Sequence, residues 1–466
     1  MALQLYNSLG RRLMPFVPIE DGVVKMYTCG PTVWNYAHIG NYRTFVFEDI
    51  LRRYLKFKGM KVVQVMNITD VEDKIIKGMK RTGKSLEDLT SFYEAAFKED
   101  LASLRVEPAE IYPHATEHIG EMVSLVKKLL EKGYAYRAED GSIYFDVSKF
   151  KNYGALSGIR PGELKAGARV KNDSYDKAEA NDFALWKAWD AEDGEVFWET
   201  ELGKGRPGWH IECSAMSMKY LGETFDIHTG GMDNKFPHHE NEIAQSEAAT
   251  GKQFVRYWLH SEFLNIEGEE MHKSVGNVVY LRDLLTEGWA PMTIRLFLIS
   301  ASYRDPINLT QTSLRQAEAE RERLQQFARR LTSVSGPASS RGEKAKELLD
   351  SFAGAMDEDL NTPAALAAVF AFAKEINNLI DGGRLGREDA LEILESVKRV
   401  DSVLGLLSFD EGAISQELKD LIELREAARG RKDFAAADSL RKQLLARGIV
   451  VEDTPEGTVW HRATKG

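Results

Sequence analysis

Apolar positions change period along the chain, and the changes divide it. Val23 to Thr28 is a short apolar run ending in Cys29-Gly30-Pro31, the pattern of a strand entering a breaker loop. From Arg43 onward Phe47, Ile50, Leu51, Tyr54 and Leu55 recur at helical spacing, predicting an amphipathic helix that stops at Gly59. Lys61 to Met66 reads as a second strand. Strand, helix and strand in this order make a βαβ unit, which implies parallel strands and a right-handed crossover.

Residues 119–200 read as an insertion, with a helical stretch from Val123 to Leu130 and a hairpin through Asp140-Gly141. The α/β pattern resumes near Gly208 to Tyr220. Phe225 to His228 reads as a strand, followed by Gly230-Gly231 and a helix opening at Pro237. Tyr257 to Leu264 is a further strand or strand pair that leads into a polar loop, Glu267 to Asn277. Beyond Asn308 the period is helical, over Leu314 to Leu331. Past a linker at Ser335 to Gly342 it recurs at 344–356, 363–380 and 387–405, and as one helix at 415–446. A hairpin between Val450 and Trp460 closes the chain. The expected class is α/β, a Rossmann-like parallel-sheet catalytic domain in two halves, 1–118 and 201–310, split by the insertion at 119–200. An all-α helical bundle (311–408) and a small C-terminal helix-hairpin module (409–466) follow.

Length supports this division, since 466 residues exceed what a single hydrophobic core organises. The net charge of −11 argues against a general nucleic-acid coat, yet leaves room for a local basic face that binds one RNA. The chain opens without the apolar segment of a signal peptide and has no apolar run of about 18 residues, so a cytoplasmic protein without a membrane span is expected. Two cysteines cannot form a disulfide framework for a chain this long. One bridge between Cys29 and Cys213 stays open, beside a reduced pair serving a metal.

The cysteines acquire meaning from a third segment, Pro237-His-His-Glu-Asn-Glu242. Thiolate, imidazole and carboxylate together suit tetrahedral Zn²⁺. His238 and Glu242 are spaced i,i+4 and His239 and Glu242 i,i+3, so either histidine can share a helix face with Glu242. Spacing does not choose between them. A zinc-protease HExxH motif is excluded, because Ile243 stands where its second histidine belongs. Four protein ligands alone would describe a closed structural site, and two buried cysteines packed as small hydrophobes are the plainer alternative.

Nucleotide-binding chemistry is suggested at three places. His38-Ile-Gly-Asn41 lies between the first strand and the first helix, whose N-terminus suits phosphate oxygens; Gly40 lets backbone approach closely. Gly230-Gly231-x-Asp233 follows a strand and could set backbone against an adenosine and a carboxylate on a ribose or an amino group. Glu270-Met-His-Lys-Ser274, flanked by Gly268 and Gly276, could bring Lys273 over a triphosphate. Each motif is weak by itself, and their order along the chain carries the weight.

These segments in this order resemble the class I aminoacyl-tRNA synthetases, specifically the cysteinyl branch. The resemblance covers essentially the whole chain, from Tyr27-Thr-Cys-Gly-Pro-Thr-Val33 and Asn67-Ile-Thr-Asp70, through Gly208-Trp-His-Ile-Glu-Cys213 and Phe236-Pro-His-His-Glu-Asn-Glu242, to Asp453-Thr-Pro-Glu-Gly-Thr458. It implies one Zn²⁺ on Cys29, Cys213, His238 and Glu242. It implies ATP with Mg²⁺ on His38, Gly40, Asn41, Gly230, Gly231, Asp233 and Lys273, with His38, Asn41 and Lys273 catalytic. Thr69, Trp209 and His228 are expected to line the pocket for L-cysteine. The implied reaction is cysteine activation by ATP and transfer to tRNA(Cys), by a monomer, with zinc selecting the thiol and no editing in the insertion. The helical region from about 311 would grip the tRNA, and Arg425, Arg429, Arg431 and Lys432 are its most basic stretch. Asn41 stands where the family has a histidine and Glu270 where it has a lysine. Those departures suggest a catalytically inactive RNA-binding paralogue as one alternative; a ligase acylating an amino-sugar is the other.

Overall fold

The computed structural model of the chain describes residues 2–159, 182–271, 277–337, 343–409, 416–431, 433–447, 449–454 and 457–462. It opens with a hairpin that the apolar pattern does not announce, β1 (Gln4–Asn7) and β2 (Arg12–Pro15). The first βαβ unit follows as β3 (Val23–Thr28), α1 (Ile39–Phe57) and β4 (Lys61–Met66). α1 starts four residues before Arg43. His38 caps it, its Nδ1 accepting from the Asn41 N–H (3.3 Å) while Asn41 Oδ1 accepts from the His38 N–H (3.0 Å). This reciprocal pair satisfies two backbone donors and fixes where the helix begins.

Two helices unforeseen from the pattern, α2 (Asp73–Thr82) and α3 (Leu86–Ser103), come next. α4 (Ile119–Glu131) leads into an antiparallel sheet of β5 (Ala135–Arg137), β6 (Ile143–Phe145), β7 (Phe183–Ala188), β8 (Trp198–Thr200) and β9 (Gly203–Pro207), ordered β5-β6-β7-β9-β8. Its last strand runs to Pro207, seven residues beyond the position expected to end the insertion.

The second α/β half contributes α5 (Trp209–Leu221), β10 (Phe225–Gly231), a short α6 (Met232–Asn234), α7 (Glu240–Thr250) and β11 (Val255–Ser261). The helix expected to open at Pro237 begins instead at Met232. It breaks at Phe236 (φ −142°, ψ 131°), and the α-helix resumes at Glu240. The main sheet is ordered β11-β10-β3-β4, every pair parallel. Alternate strand residues feed two separate cores. Val24, Met26 and Val62 join α1 on one face, while Tyr27 and Val65 join α4, α5 and α7 on the other.

A small sheet of β12 (Leu264–Ile266), β13 (Glu269–Glu270) and β14 (Ile307–Leu309) encloses α8 (Leu281–Thr286) and α9 (Pro291–Leu298) in sequence. The bundle is α10 (Gln311–Ser333), α11 (Glu343–Met356), α12 (Thr362–Asp381) and α13 (Arg387–Leu404), and its apolar faces continue the core around α1. The single helix expected at 415–446 is two, α14 (Gln416–Gly430) and α15 (Phe434–Ala446). Asp433 starts the second by capping the Ala436 N–H at 3.0 Å. β15 (Ile449–Thr454) and β16 (Gly457–Arg462) complete the chain as an antiparallel hairpin.

One guanidinium joins bundle and catalytic half. Arg295 of α9 is fully buried and donates to Asp49 of α1 (2.6 Å), to the Leu404 carbonyl ending α13 (2.7 Å) and to the Leu104 carbonyl (2.9 Å). Removing it leaves the two carbonyls unmet, while Asp49 keeps Arg53 (2.8 Å) and the Glu107 N–H (2.9 Å). Arg295→Ala is therefore expected to cost about 2–4 kcal/mol, the scale of two buried acceptors left unpaired, read as a fall in the urea midpoint followed by circular dichroism.

Candidate active site and metal centre

Strand order reverses between β3 and β10, so the loops leaving their C-terminal ends part and open a crevice. Cys29 follows β3 directly, and Gly231 ends β10. The crevice widens into a cavity of about 600 Å³, within the range of small-ligand sites. Cys29, Trp209, His38, Asn41, Asp233 and Met271 are among its walls.

The Sγ atoms of Cys29 and Cys213, an imidazole nitrogen of His238 and a Glu242 carboxylate oxygen lie within 4.8 Å of one another, all buried. Both cysteines are free thiols. A second set shares Cys29 and Glu242 but takes His228 and His239. The two differ in how their histidines are engaged. His239 Nε2 is 3.2 Å from Cys29 Sγ, and its Nδ1 is 2.9 Å from His260 Nε2, whose other nitrogen meets Ser8 Oγ at 2.8 Å. His238 meets Glu242 Oε1 at 3.1 Å and its Nδ1 is 2.9 Å from His210 Nδ1, while its ring packs on Trp209 (centroids 4.2 Å apart) on the cavity side.

Charges inside the cluster are strongly coupled. Burial raises the Cys213 thiol, but its contact with Cys29 and the adjacent His238 bring it down to about 6. Burial and that same contact push Cys29 up. Against burial, Glu242 and Cys213 lift His238 to about 10. Glu242 is likewise opposed by burial, yet His228 and His238 hold it at about 2. The bare cluster thus keeps one thiol protonated beside a thiolate.

Close backbone packing sets Cys29 in place. A Cβ on Gly30 would stand 1.7 Å from the Asn67 carbonyl oxygen, and the Gly30 N–H donates to Asn67 Oδ1 at 2.9 Å. Asn67 donates to Thr69 (3.1 Å), and Thr69 donates to Glu212 (3.0 Å). Only a residue without a side chain fits there.

Of the residues expected to line a cysteine pocket, Trp209 does. Thr69 and His228 do not reach the cavity: both are buried, Thr69 against Glu212 and His228 with its Nε2 2.9 Å from Glu242. Gly230 lies behind the wall, where a Cβ would meet the His239 ring at 2.7 Å. The α1 N-terminus offers less open backbone than expected. The Ile39 N–H donates to Val279 (2.9 Å) and the Asn41 N–H to His38, leaving the Gly40 N–H among the first three without a partner among the described residues. Glu270 is exposed on β13, whereas Lys273 falls outside the described residues, as does Lys432.

Sequence reading missed Glu48, Glu212, His210 and His260 as members of the buried polar cluster, and named His239 only as the alternative to His238. Glu48 carried a signal, since it lies three residues before Leu51 on the apolar stripe of α1. Burial pushes its carboxyl up to about 8, and Thr229 donates to it at 2.7 Å.

A doubly wound sheet with a nucleotide-sized crevice at its switch point and a helix N-terminus on its rim is the catalytic architecture of a class I aminoacyl-tRNA synthetase. The family model "tRNA synthetases class I (C) catalytic domain" matches residues 15–319. A DALR domain model matches 351–408, and a "Cysteinyl-tRNA ligase anticodon binding domain" model matches 411–460. In fold, the chain is similar to Mycobacterium tuberculosis methionyl-tRNA synthetase in complex with methionyl-adenylate. That likeness has a TM-score of 0.59 at 14% identity and covers 89% of this chain and 96% of that one. A cysteine–tRNA ligase of Solibacter usitatus (strain Ellin6076) is 48% identical over 99% of this chain and 100% of its own length. One from Chlamydia pneumoniae is 46% identical over 98% and 97%. The chain belongs to the cysteine–tRNA ligase family.

Gly30→Ala is expected to displace either Cys29 or Asn67 and to cost about 1–3 kcal/mol, the usual penalty of overpacking. Differential scanning calorimetry checks it, and a melting point equal to wild type would mean the loop relaxes freely.

Proposed function

We propose that the chain activates L-cysteine with Mg²⁺-bound ATP and transfers the cysteinyl group to the 3′ end of tRNA(Cys). The observation that carries this is the meeting of Cys29, Cys213, His238 and Glu242 in one buried cluster, which reaches the switch-point cavity through Cys29. Two thiols, an imidazole and a carboxylate fit the donor set of one Zn²⁺, and a dication would relieve the pairing of protonated Cys29 with ionised Cys213. Each histidine has its Nδ1 on another histidine, His238 on His210 and His239 on His260, so His238 is preferred because its ring lies against Trp209 of the cavity wall. When bound, zinc supplies a strong preference for a soft thiolate over a serine hydroxyl, which makes selection by volume unnecessary.

The chain's own residues do the remaining work by position. Trp209 walls the cysteine side. Thr69 and His228 act from behind, holding Glu212 and Glu242 in place. On the ATP side, His38, Gly40 and Asn41 present the start of α1, while Gly231 and Asp233 close the end of β10 over the adenosine, with Gly230 behind them. Asn41 supports its helix with its carbonyl oxygen, which leaves its N–H donors for phosphate. The cysteine carboxylate attacks the α-phosphorus and pyrophosphate departs; the terminal ribose hydroxyl of tRNA then attacks the adenylate carbonyl and AMP leaves. Orientation and electrostatic stabilisation supply most of the acceleration. Transfer to tRNA is favoured over an amino-sugar because the anticodon-domain match occupies residues 411–460.

Purified protein is expected to catalyse cysteine-dependent ATP–pyrophosphate exchange, with serine slower by about a hundredfold or more, as a site built on one discriminating contact allows. Equal rates for serine, or exchange surviving removal of all bound metal, would overturn the zinc-selection reading. Lys273→Ala is expected to slow adenylate formation at least about tenfold, the scale of one lost transition-state contact, while metal content stays that of wild type.

A further inference from the structure

At the mouth of the cavity lies a surface that adenylate formation does not use. Tyr36 lines the cavity and forms edge-on contacts with Phe92 (6.2 Å), Tyr93 (5.3 Å) and Tyr280 (6.4 Å). Phe92 is 48% exposed, and Lys84 Nζ sits 4.8 Å from its ring centroid. The neighbouring α2 and its C-terminal turn carry Lys74, Lys77, Lys80, Arg81 and Lys84, all exposed. Asp73, the acidic residue in that stretch, is bound to Lys187 and Arg206. Lys77, Lys80 and Arg81 form no salt bridge among the described residues, and Lys74 reaches the cavity wall. On a chain of net charge −11, Lys77, Lys80 and Arg81 make a local concentration of positive charge beside one exposed ring and two half-buried ones, with Glu72 near Lys74.

We infer that α2 and the Tyr36–Phe92–Tyr93 cluster form the platform that leads the unpaired 3′ nucleotides of the tRNA into the cavity. The inference rests on the proposed aminoacylation, which requires a single-stranded RNA end to reach the adenylate. Aromatic faces accept unpaired bases of any identity by stacking, and adjacent lysines track the phosphates. Exposed Phe92 offers a face to a base, and the α2 cations meet the backbone that carries it. Arg282, held by Glu99 (2.7 Å) and Asp100 (3.0 Å), packs over Tyr36 at 5.1 Å and braces the platform from beneath.

The test compares a tRNA(Cys) transcript with one lacking its unpaired 3′ nucleotides, each titrated with full-length protein by fluorescence anisotropy. Phe92→Ala is expected to weaken the complete transcript about tenfold and the truncated one less than about twofold, in line with one lost stacking contact. Phe92→Trp should bind like wild type. The triple variant Lys77→Ala/Lys80→Ala/Arg81→Ala is expected to lower the slope of log affinity against log salt by about 2–3, the count of lost phosphate contacts. Cysteine-dependent pyrophosphate exchange, which needs no tRNA, should match wild type in all three variants. Equal weakening of both transcripts by Phe92→Ala, no weakening of either, or an unchanged salt slope overturns the platform and would leave this face to a protein partner or to solvent. Absence of exchange in wild type would instead overturn the aminoacylation reading, and the transcript comparison would still decide the platform.

Discussion

The site depends on the parallel pairing of β3 with β10. Because these strands lie side by side while their following loops turn to opposite faces, the backbone must separate at their ends. That separation is the cavity. Cys29, the first residue past β3, faces the gap, and Gly231 and Asp233 close the other side. α1, which returns from the same gap, places His38 and Asn41 on its rim. No loop ornament is needed to assemble the cluster, because sheet topology brings together residues that are remote in sequence.

Behind the gap the protein concentrates polar groups where apolar side chains would cost less. Cys213, His238, His239, Glu242, Glu48 and Glu212 are all almost completely buried. Burial at this depth is tolerated only when partners meet one another, and most do, through short contacts such as His228 with Glu242 and Thr229 with Glu48. One oxygen each of Glu48 and Glu212 has no hydrogen-bond partner among the described residues. Both carboxyls are pushed up by burial, which favours their neutral form and lowers the cost of the missing partner. The cluster is thus a rigid polar plug beneath the cavity, braced from α1 on one face of the sheet and from α5 and α7 on the other.

Local sequence chemistry reveals most of the elements, but not the opening hairpin or α2 and α3, and it often misplaces helix ends. β3 and β4 were legible to the residue because apolar runs meet clear breakers. The start of α1 was not, because it is set by a reciprocal His38–Asn41 cap whose residues read equally well as a loop. The break between α14 and α15 was hidden for the same reason: Asp433 caps a helix within a stretch of continuous helical propensity. Spacing identified the four-ligand segments yet left His238 and His239 equivalent. What distinguishes their surroundings, Trp209 packed on the His238 ring, arises only through tertiary contact. The same limit explains Thr69 and His228, which stand near the pocket in sequence logic but behind its wall in space.

The register that creates the gap also orders its assembly in time. Thr28 pairs with Thr229, a separation of about two hundred residues, so the contact is among the most non-local in the catalytic half. At roughly 5–20 residues per second of synthesis, Cys29 emerges about 10–40 seconds before Glu242 is made. During that interval its thiol has neither Cys213 nor the histidines beside it. Until β10 arrives, Cys29 is an ordinary solvent-accessible thiol; its buried, paired state belongs only to the finished sheet.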